Sequence, residues 1–390
     1  MSILKRPPGD QFTFRLFFQL INKIKKPKDT FYLWSPCIDP NTNQISHYVD
    51  DEPVWENEFV YRQMILSEIT HDLVVLGVKD HLTSSDFNPW TEHTPGIVEY
   101  LENMFDYYAD KQFILFTSVE NLESYITNKN VVIIPWGGDI TNHQKEYVKL
   151  DPVLEKNLQS NTTFLSLNRN QRTHRAMLVS LLYSLDINKH GLISCMFKDR
   201  LDGLMDYTQW QTDKADLFES GFNLLKHQDT ALNDAYDIYT AGPNDNVSNF
   251  KNTLVNYYKD TFVEIITETS YTESCYNLTE KTLNSIYGCC FPILLCSKGS
   301  VAFLRDMGMD VFDDIVDHTY DQIEDPAERL YHAITDNLDL LVKNQRTKDL
   351  WRANQHRFIN NIDFAKTTLY NFYSTRAEQL LLKTIHDHNL

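Results

Sequence analysis

The chain has 390 residues, 42% of them hydrophobic and 13% aromatic, enough to bury a substantial core and more than a single domain usually needs. Its formal net charge of −18 argues against a protein that coats nucleic acid through a general basic surface, because phosphate binding needs clustered Lys and Arg. The six cysteines (Cys37, Cys195, Cys275, Cys289, Cys290 and Cys296) include no CxxC pair, and adjacent Cys289 and Cys290 lie in an apolar run. That pattern points to thiols in a reducing, cytoplasmic setting. The N-terminus lacks the apolar stretch of a signal peptide, and no window reaches the roughly 18 apolar residues of a membrane span, so a soluble protein is expected.

Residues 1–28 depart from the acidic balance, with Lys5, Arg6, Arg15, Lys23, Lys25, Lys26 and Lys28 against Asp10. Phe14, Phe17, Phe18, Ile21 and Ile24 recur there at helical spacing, which predicts an amphipathic helix with a basic end. It reads as a packed helix with solvated lysines, or as a face for an acceptor or a membrane surface.

Beyond it, strands are expected at Leu73–Val78, Gln112–Thr117 and Val131–Pro135, separated by helices near 55–69, 97–109 and 119–126. This alternation is the signature of a parallel sheet covered by helices, a three-layer α/β domain. The pattern turns polar between 139 and 161, which places a boundary there. The second half repeats the alternation: strand 162–167, helix 171–185, strand 191–195, an unpatterned stretch to about 250, strand 262–267, helix 278–288, strand 292–296, helix 299–307 and a short run at Val311-Phe312. Helices dominate from 326 onward. The expected architecture is therefore α/β, with a domain at 1–160, a second Rossmann-like domain at 161–345, and helices at 346–390 that brace the two.

Two segments carry the chemistry. The first, Leu165 to Arg175, is a strand running through Asn168, Arg169 and Asn170 into a helix. Arg169, Arg172 and Arg175 fall three apart, and Arg172 and Arg175 share a helix face at its dipole-positive end, which suits a phosphate. The carboxyl edge of an open α/β sheet is also where ligands bind. The second segment runs from Glu268 through Tyr271, Glu273 and Tyr276 to Thr279, Glu280 and Lys281, again strand, loop and helix start. Thr279 reads as an N-cap and Glu280 suits a first turn. Lys281 does not, because a cation at a helix N-terminus opposes the macrodipole unless an anion sits there too. A bound diphosphate would supply that anion, with Lys281 steadying the departing nucleotide.

The order of these two segments, followed by Gly288-Cys-Cys-Phe-Pro292-Ile-Leu294, resembles GT-B glycosyltransferases related to exostosins and α1,3-fucosyltransferases over about residues 162–340. Its most specific element is Thr279-Glu280-Lys281 followed by Pro292 and an apolar strand. The stretch Leu304-Arg305-Asp306-Met-Gly308, with Phe312, Tyr320-Asp321 and Asp325-Pro326-Ala-Glu-Arg329, is similar to virus-encoded relatives. The resemblance implies GT-B architecture, two Rossmann-like domains facing a cleft, and inverting transfer of a sugar from a nucleotide sugar. It implies that Glu280 holds the donor ribose or base, that Lys281 and the arginines hold the diphosphate, and that Tyr276 lines the base pocket. The pair Cys289-Cys290 replaces small residues usual in the family, which leaves the donor's identity open.

The acceptor side matches no named family. Deprotonating an acceptor hydroxyl needs a carboxylate or imidazole. The first candidate is Asp139, after the strand ending Pro135-Trp-Gly-Gly, with His143 close by; the second is Asp80, beside His81. No convincing Asp-x-Asp motif, zinc spacing, Gly-x-Ser-x-Gly elbow or Walker A loop occurs, so neither metal nor cofactor is expected. A carbohydrate or protein hydroxyl is one acceptor class. A hydroxylated base in viral DNA is another, motivated by the basic first 28 residues, and a non-catalytic nucleotide-binding module is the reading from a different class.

Overall fold

Apolar, β-branched runs bounded by polar turns become parallel strands in both halves of the chain, which divides into two compact units. The computed structural model describes residues 147–168, 172–195, 214–226, 250–268 and 278–388. Ahead of them it describes 30–34, 37–39, 44–49, 52–57, 73–78, 109–117 and 126–135, besides single positions such as 271 and 276. One unit comprises Met1–Asn142 and Asn371–Leu390, the other His143–Tyr370.

In the first unit β1 (Thr30–Trp34), β5 (Leu73–Val78), β6 (Gln112–Thr117) and β7 (Val131–Pro135) form a parallel sheet in the order β1-β5-β6-β7. The last three strands have the expected bounds. A second sheet is an antiparallel meander of β2 (Cys37–Asp39), β3 (Gln44–Val49) and β4 (Glu52–Asn57). It was not anticipated, and it corrects the start of the helix expected near 55–69. Val54 and Trp55, both good strand formers, pair with His47 and Ser46 on β3. Phe113, Ile114 and Leu115 of β6 are buried, and Phe105 packs on Phe113 with ring centroids 4.7 Å apart. The amphipathic helix of residues 1–28 lies outside the described residues.

The second unit is built on β8 (Phe164–Ser166), β9 (Gly191–Ile193), β10 (Val263–Thr267) and β11 (Phe291–Leu295), all parallel, in the order β11-β10-β8-β9. Every residue of β8, β10 and β11 is buried, as in a sheet covered on both faces. α1 (Thr173–Ser184) links β8 to β9. α2 (Ala215–Lys226) and α3 (Val255–Asp260, continuing a π-helical turn at Phe250–Leu254) precede β10. α4 (Glu280–Gly288) joins β10 to β11, and α5 (Ser300–Asp306) follows. Because β9 pairs on one side of β8 and β10 on the other, the winding reverses between β8 and β10. At such a reversal the crossover helices diverge, leaving a crevice at the strands' carboxyl ends.

β11 lies at the end of this sheet, which tolerates Pro292. Its open edge is sealed by side chains: the Tyr320 hydroxyl accepts from Leu294 N at 2.9 Å and lies 3.2 Å from Leu294 O, and His318 Nε2 meets Pro292 O at 3.1 Å. The run expected at Val311-Phe312 is no strand. Phe312 takes a left-handed backbone (φ 64) and packs its ring 5.1 Å from Phe291 and 4.7 Å from Phe358. Helices α6 (Pro326–Thr335), α7 (Leu338–Val342), α8 (Asn344–Ala353), α9 (Gln355–Asp363) and α10 (Tyr370–His388) complete the chain. No helix among the described residues is long and apolar enough to cross a membrane.

Candidate functional site

At the reversal between β8 and β10 the two polar segments meet. Asn168, one residue past Leu167 and fully buried, ties three strand ends together. Its N–H donates to Ser194 Oγ beyond β9 (2.8 Å), its Nδ2 to Ser166 Oγ (2.9 Å), and its Oδ1 accepts from Thr267 Oγ1 at the end of β10 (3.1 Å). Asn168 is thus a brace for the strand ends.

The helix expected at 171–185 spans Thr173–Ser184, with Arg172 at its N-cap in extended backbone and no acidic residue in the first turn. Arg175 is buried, and its guanidinium donates to Thr267 O (3.0 Å) and Glu268 O (3.4 Å). Those carbonyls end β10 and need donors. Between the two arginines, His174 is buried and stacks on Tyr271, with centroids 5.0 Å apart and planes 22° apart. Its Nε2 lies 3.1 Å from Glu268 O, and because a carbonyl only accepts, that nitrogen carries the proton. Burial first, then Arg175 and Arg172, and more weakly Lys281, hold the imidazole well below the ordinary histidine range; the bond to Glu268 O works the other way.

Glu268, the residue that leaves β10, is fully buried beneath the start of α4. Its carboxylate accepts from Thr279 N (3.0 Å), Thr279 Oγ1 (2.6 Å) and Thr282 Oγ1 (2.8 Å). Lys281 Nζ donates to Thr279 Oγ1 (2.8 Å) and Glu280 Oε1 (3.3 Å), and it lies 3.7 Å from Glu268 Oε2. The anion that Lys281 needs at a helix N-terminus is therefore already present as the protein's own Glu268, and the argument that an external diphosphate must supply it does not stand. Lys281 and Glu280 keep 24% and 21% of their side-chain surface open, so a ligand can still reach the pair.

Thr279 caps α4 as anticipated, its side chain accepting from Lys281 N at 3.4 Å. Tyr276 stacks on Phe303 with centroids 5.0 Å apart, and a side chain at Gly299, where φ is +84, would come within 2.8 Å of its hydroxyl. Asp139, His143, Asp80, Arg169 and Glu273 lie outside the described residues. The principal groups that sequence reading left without a role are Glu268, His174 and Arg329. Arg329 lies 4.6 Å over the Tyr271 ring and donates to Tyr271 O (2.5 Å), Ile323 O (2.8 Å) and Glu324 O (3.3 Å). The signal for Glu268 was its place directly after the strand; Arg329 stands in the Asp325–Arg329 stretch of the resemblance, which gave it no role.

Among the described residues no set of His, Cys, Asp and Glu side chains is grouped to hold a metal ion. His174 and Arg175 of α1 both meet the Glu268 carbonyl, and Lys281 of α4 lies 3.7 Å from the Glu268 carboxylate, so two helix starts bring basic side chains to the carboxyl edge of a parallel sheet. Such an arrangement can bind an anion and stabilise one that develops during a reaction. The chain matches no protein-family model, no curated protein and no solved structure.

Proposed function

We propose that the chain is a glycosyltransferase of the GT-B kind, with the second unit binding a nucleotide sugar and the first unit supplying the acceptor side. The observation that carries this reading is that the helix start holding Arg172, His174 and Arg175 and the helix start holding Lys281 meet at Glu268, where the winding of the sheet reverses. A diphosphate needs cations and helix-start amides, and both are present there. The resemblance of Thr279-Glu280-Lys281 and its surroundings to exostosin-like and fucosyltransferase-like enzymes supports a sugar nucleotide as the ligand.

In this reading Arg172 and Lys281 face the diphosphate, and their charge offsets the negative charge that grows on the leaving nucleoside diphosphate as the glycosidic bond breaks. Glu268 fixes the first turn of α4 and so the position of Lys281; Arg175 fixes the end of β10. Glu280, partly open beside Lys281, accepts from a ribose hydroxyl of the donor. The charge stabilisation comes from side chains, so transfer proceeds without a divalent ion, and Asp139, or else Asp80, takes the acceptor's proton. The acceptor is a carbohydrate or protein hydroxyl. A hydroxylated DNA base is favoured instead if residues 1–28 bind DNA in a salt-sensitive way that is lost when Lys23, Lys25 and Lys26 are neutralised.

The test is release of nucleoside diphosphate from a panel of sugar nucleotides in EDTA, with a mixture of acceptors. Wild type is expected to turn over at least one donor, and Arg172→Ala to slow it by about 10²-fold, the order seen when one preorganised donor to a developing anion is removed. Equal rates in the two proteins would contradict the assignment.

A further inference from the structure

Away from the crevice, the second unit holds a cavity of 460 Å³ between the segment 149–155 and the helix made by the π-helical turn Phe250–Leu254 and α3. That size is within the range of small-ligand sites. Its lining residues include none from α1, α4 or the surroundings of Glu268, so it stands apart from the donor site and does not depend on it. We propose that it binds a zwitterion with an apolar body, of which an apolar amino acid is the simplest class. The carboxylate of the ligand meets the helix wall, and its ammonium meets the segment across the cavity.

The two walls carry opposite charge. Lys251 and Lys259 line the cavity from the helix with Val255 between them, and Asp151 and Glu155 line it from the segment. Among the described residues, the side chains of these four have no hydrogen-bonding or ion-pairing partner. The cavity thus holds cations and carboxylates beyond ion-pair reach of one another, and a ligand bearing both signs satisfies both walls at once. A lone anion leaves the carboxylates facing it without a partner, and a lone cation does the same to the lysines. Charge complementarity therefore selects the zwitterion. Between the charged groups the lining is apolar: Pro152 and Val255 are half-buried, Leu154 is exposed, and Phe250 and Val153 are buried. An apolar side chain placed there leaves water. The site is also preformed. Val153 N donates to Tyr287 O (2.8 Å), Asn157 N to Lys259 O (2.8 Å) and Lys156 Nζ to Tyr258 O (2.7 Å), which pins the segment to the ends of α3 and α4. Binding then costs little ordering of the protein.

The probes are valine, leucine and phenylalanine, each with its N-acetyl derivative, which lacks the ammonium, and its amide, which lacks the carboxylate. Binding is followed by NMR from the Val255 methyl signals, assigned through Val255→Ile. At least one free amino acid is expected to move those signals, with both of its blocked derivatives binding about tenfold more weakly, the loss of one charge-assisted hydrogen bond. Lys251→Gln with Lys259→Gln is expected to remove the difference between amino acid and amide. Asp151→Asn with Glu155→Gln is expected to remove the difference between amino acid and N-acetyl derivative. All four positions are surface side chains, so both variants fold. The inference is overturned if none of the three amino acids moves the Val255 signals, if the blocked derivatives bind as tightly as their parent, or if the variants leave those differences in place.

Discussion

Glu268, whose side chain has no solvent exposure, accepts three hydrogen bonds from the first turn of α4 and faces the partly open Lys281. Glu268→Gln keeps the shape but turns one acceptor into a donor that opposes Thr279 or Thr282, and it leaves Lys281 short of a partner. A loss of about 2 to 4 kcal/mol is expected, read from the urea unfolding midpoint; an unchanged midpoint would refute the role. Glu264, in the middle of β10, behaves differently. Burial pushes its carboxyl up to about 8, against a hydrogen bond from Tyr258, the nearby Ser285 hydroxyl and the charge of Lys156 that pull it down; Glu268 adds to the rise. Between the ordinary value of 4.5 and about 8 the folded protein holds a proton that the unfolded chain releases, so stability falls as pH rises through that interval. Glu264→Gln is expected to flatten this part of the stability profile, and a slope identical to wild type would contradict it. Neither role was legible in the sequence. Val-Glu-Ile-Ile-Thr-Glu shows an apolar strand, but which of its two carboxyls is capped by a distant helix depends on where α4 docks.

Strands and helices with a strong period were legible: β5, β6, β7, β10 and β11 fall within a residue of their expected bounds, because unbroken β-branched and aromatic runs have few alternatives. The meander β2-β3-β4 was not, since Cys37–Asp39, Gln44–Val49 and Glu52–Asn57 are short and mixed in polarity, and their pairing is a tertiary matter. In the unpatterned stretch before 250, α2 was hidden partly by Gly221, a residue that weakens a helical reading. Its purpose is close approach. A Cβ there would sit 1.7 Å from the Ser180 carbonyl oxygen of α1. Gly221→Ala must therefore push α2 off α1, and a cost of about 3 kcal/mol in thermal or urea unfolding is expected, at the upper end of overpacking substitutions. A neutral or stabilising alanine, as at an ordinary helix glycine, would show that the two helices do not touch there.

At the scale of the molecule, the sequence placed two cationic segments at strand ends, and the fold of the second unit brings them to one crevice. The strand order was the missing step, because only β8 lying beside β10 joins Arg172 and Arg175 to Lys281. The candidates Asp139 and Asp80 belong to the first unit and His143 opens the second, and all three lie outside the described residues. The central claim is that this crevice binds a nucleotide diphosphate. It is tested most directly by melting temperature against a panel of nucleoside diphosphates and sugar nucleotides in EDTA, on wild type and on Lys281→Ala, each compared with its own ligand-free form. At about a hundredfold excess over Kd, the matching nucleotide is expected to add about 3 kcal/mol to wild type, raising its melting temperature, and to leave Lys281→Ala nearly unmoved. No shift with any nucleotide, or equal shifts in both proteins, would contradict the account.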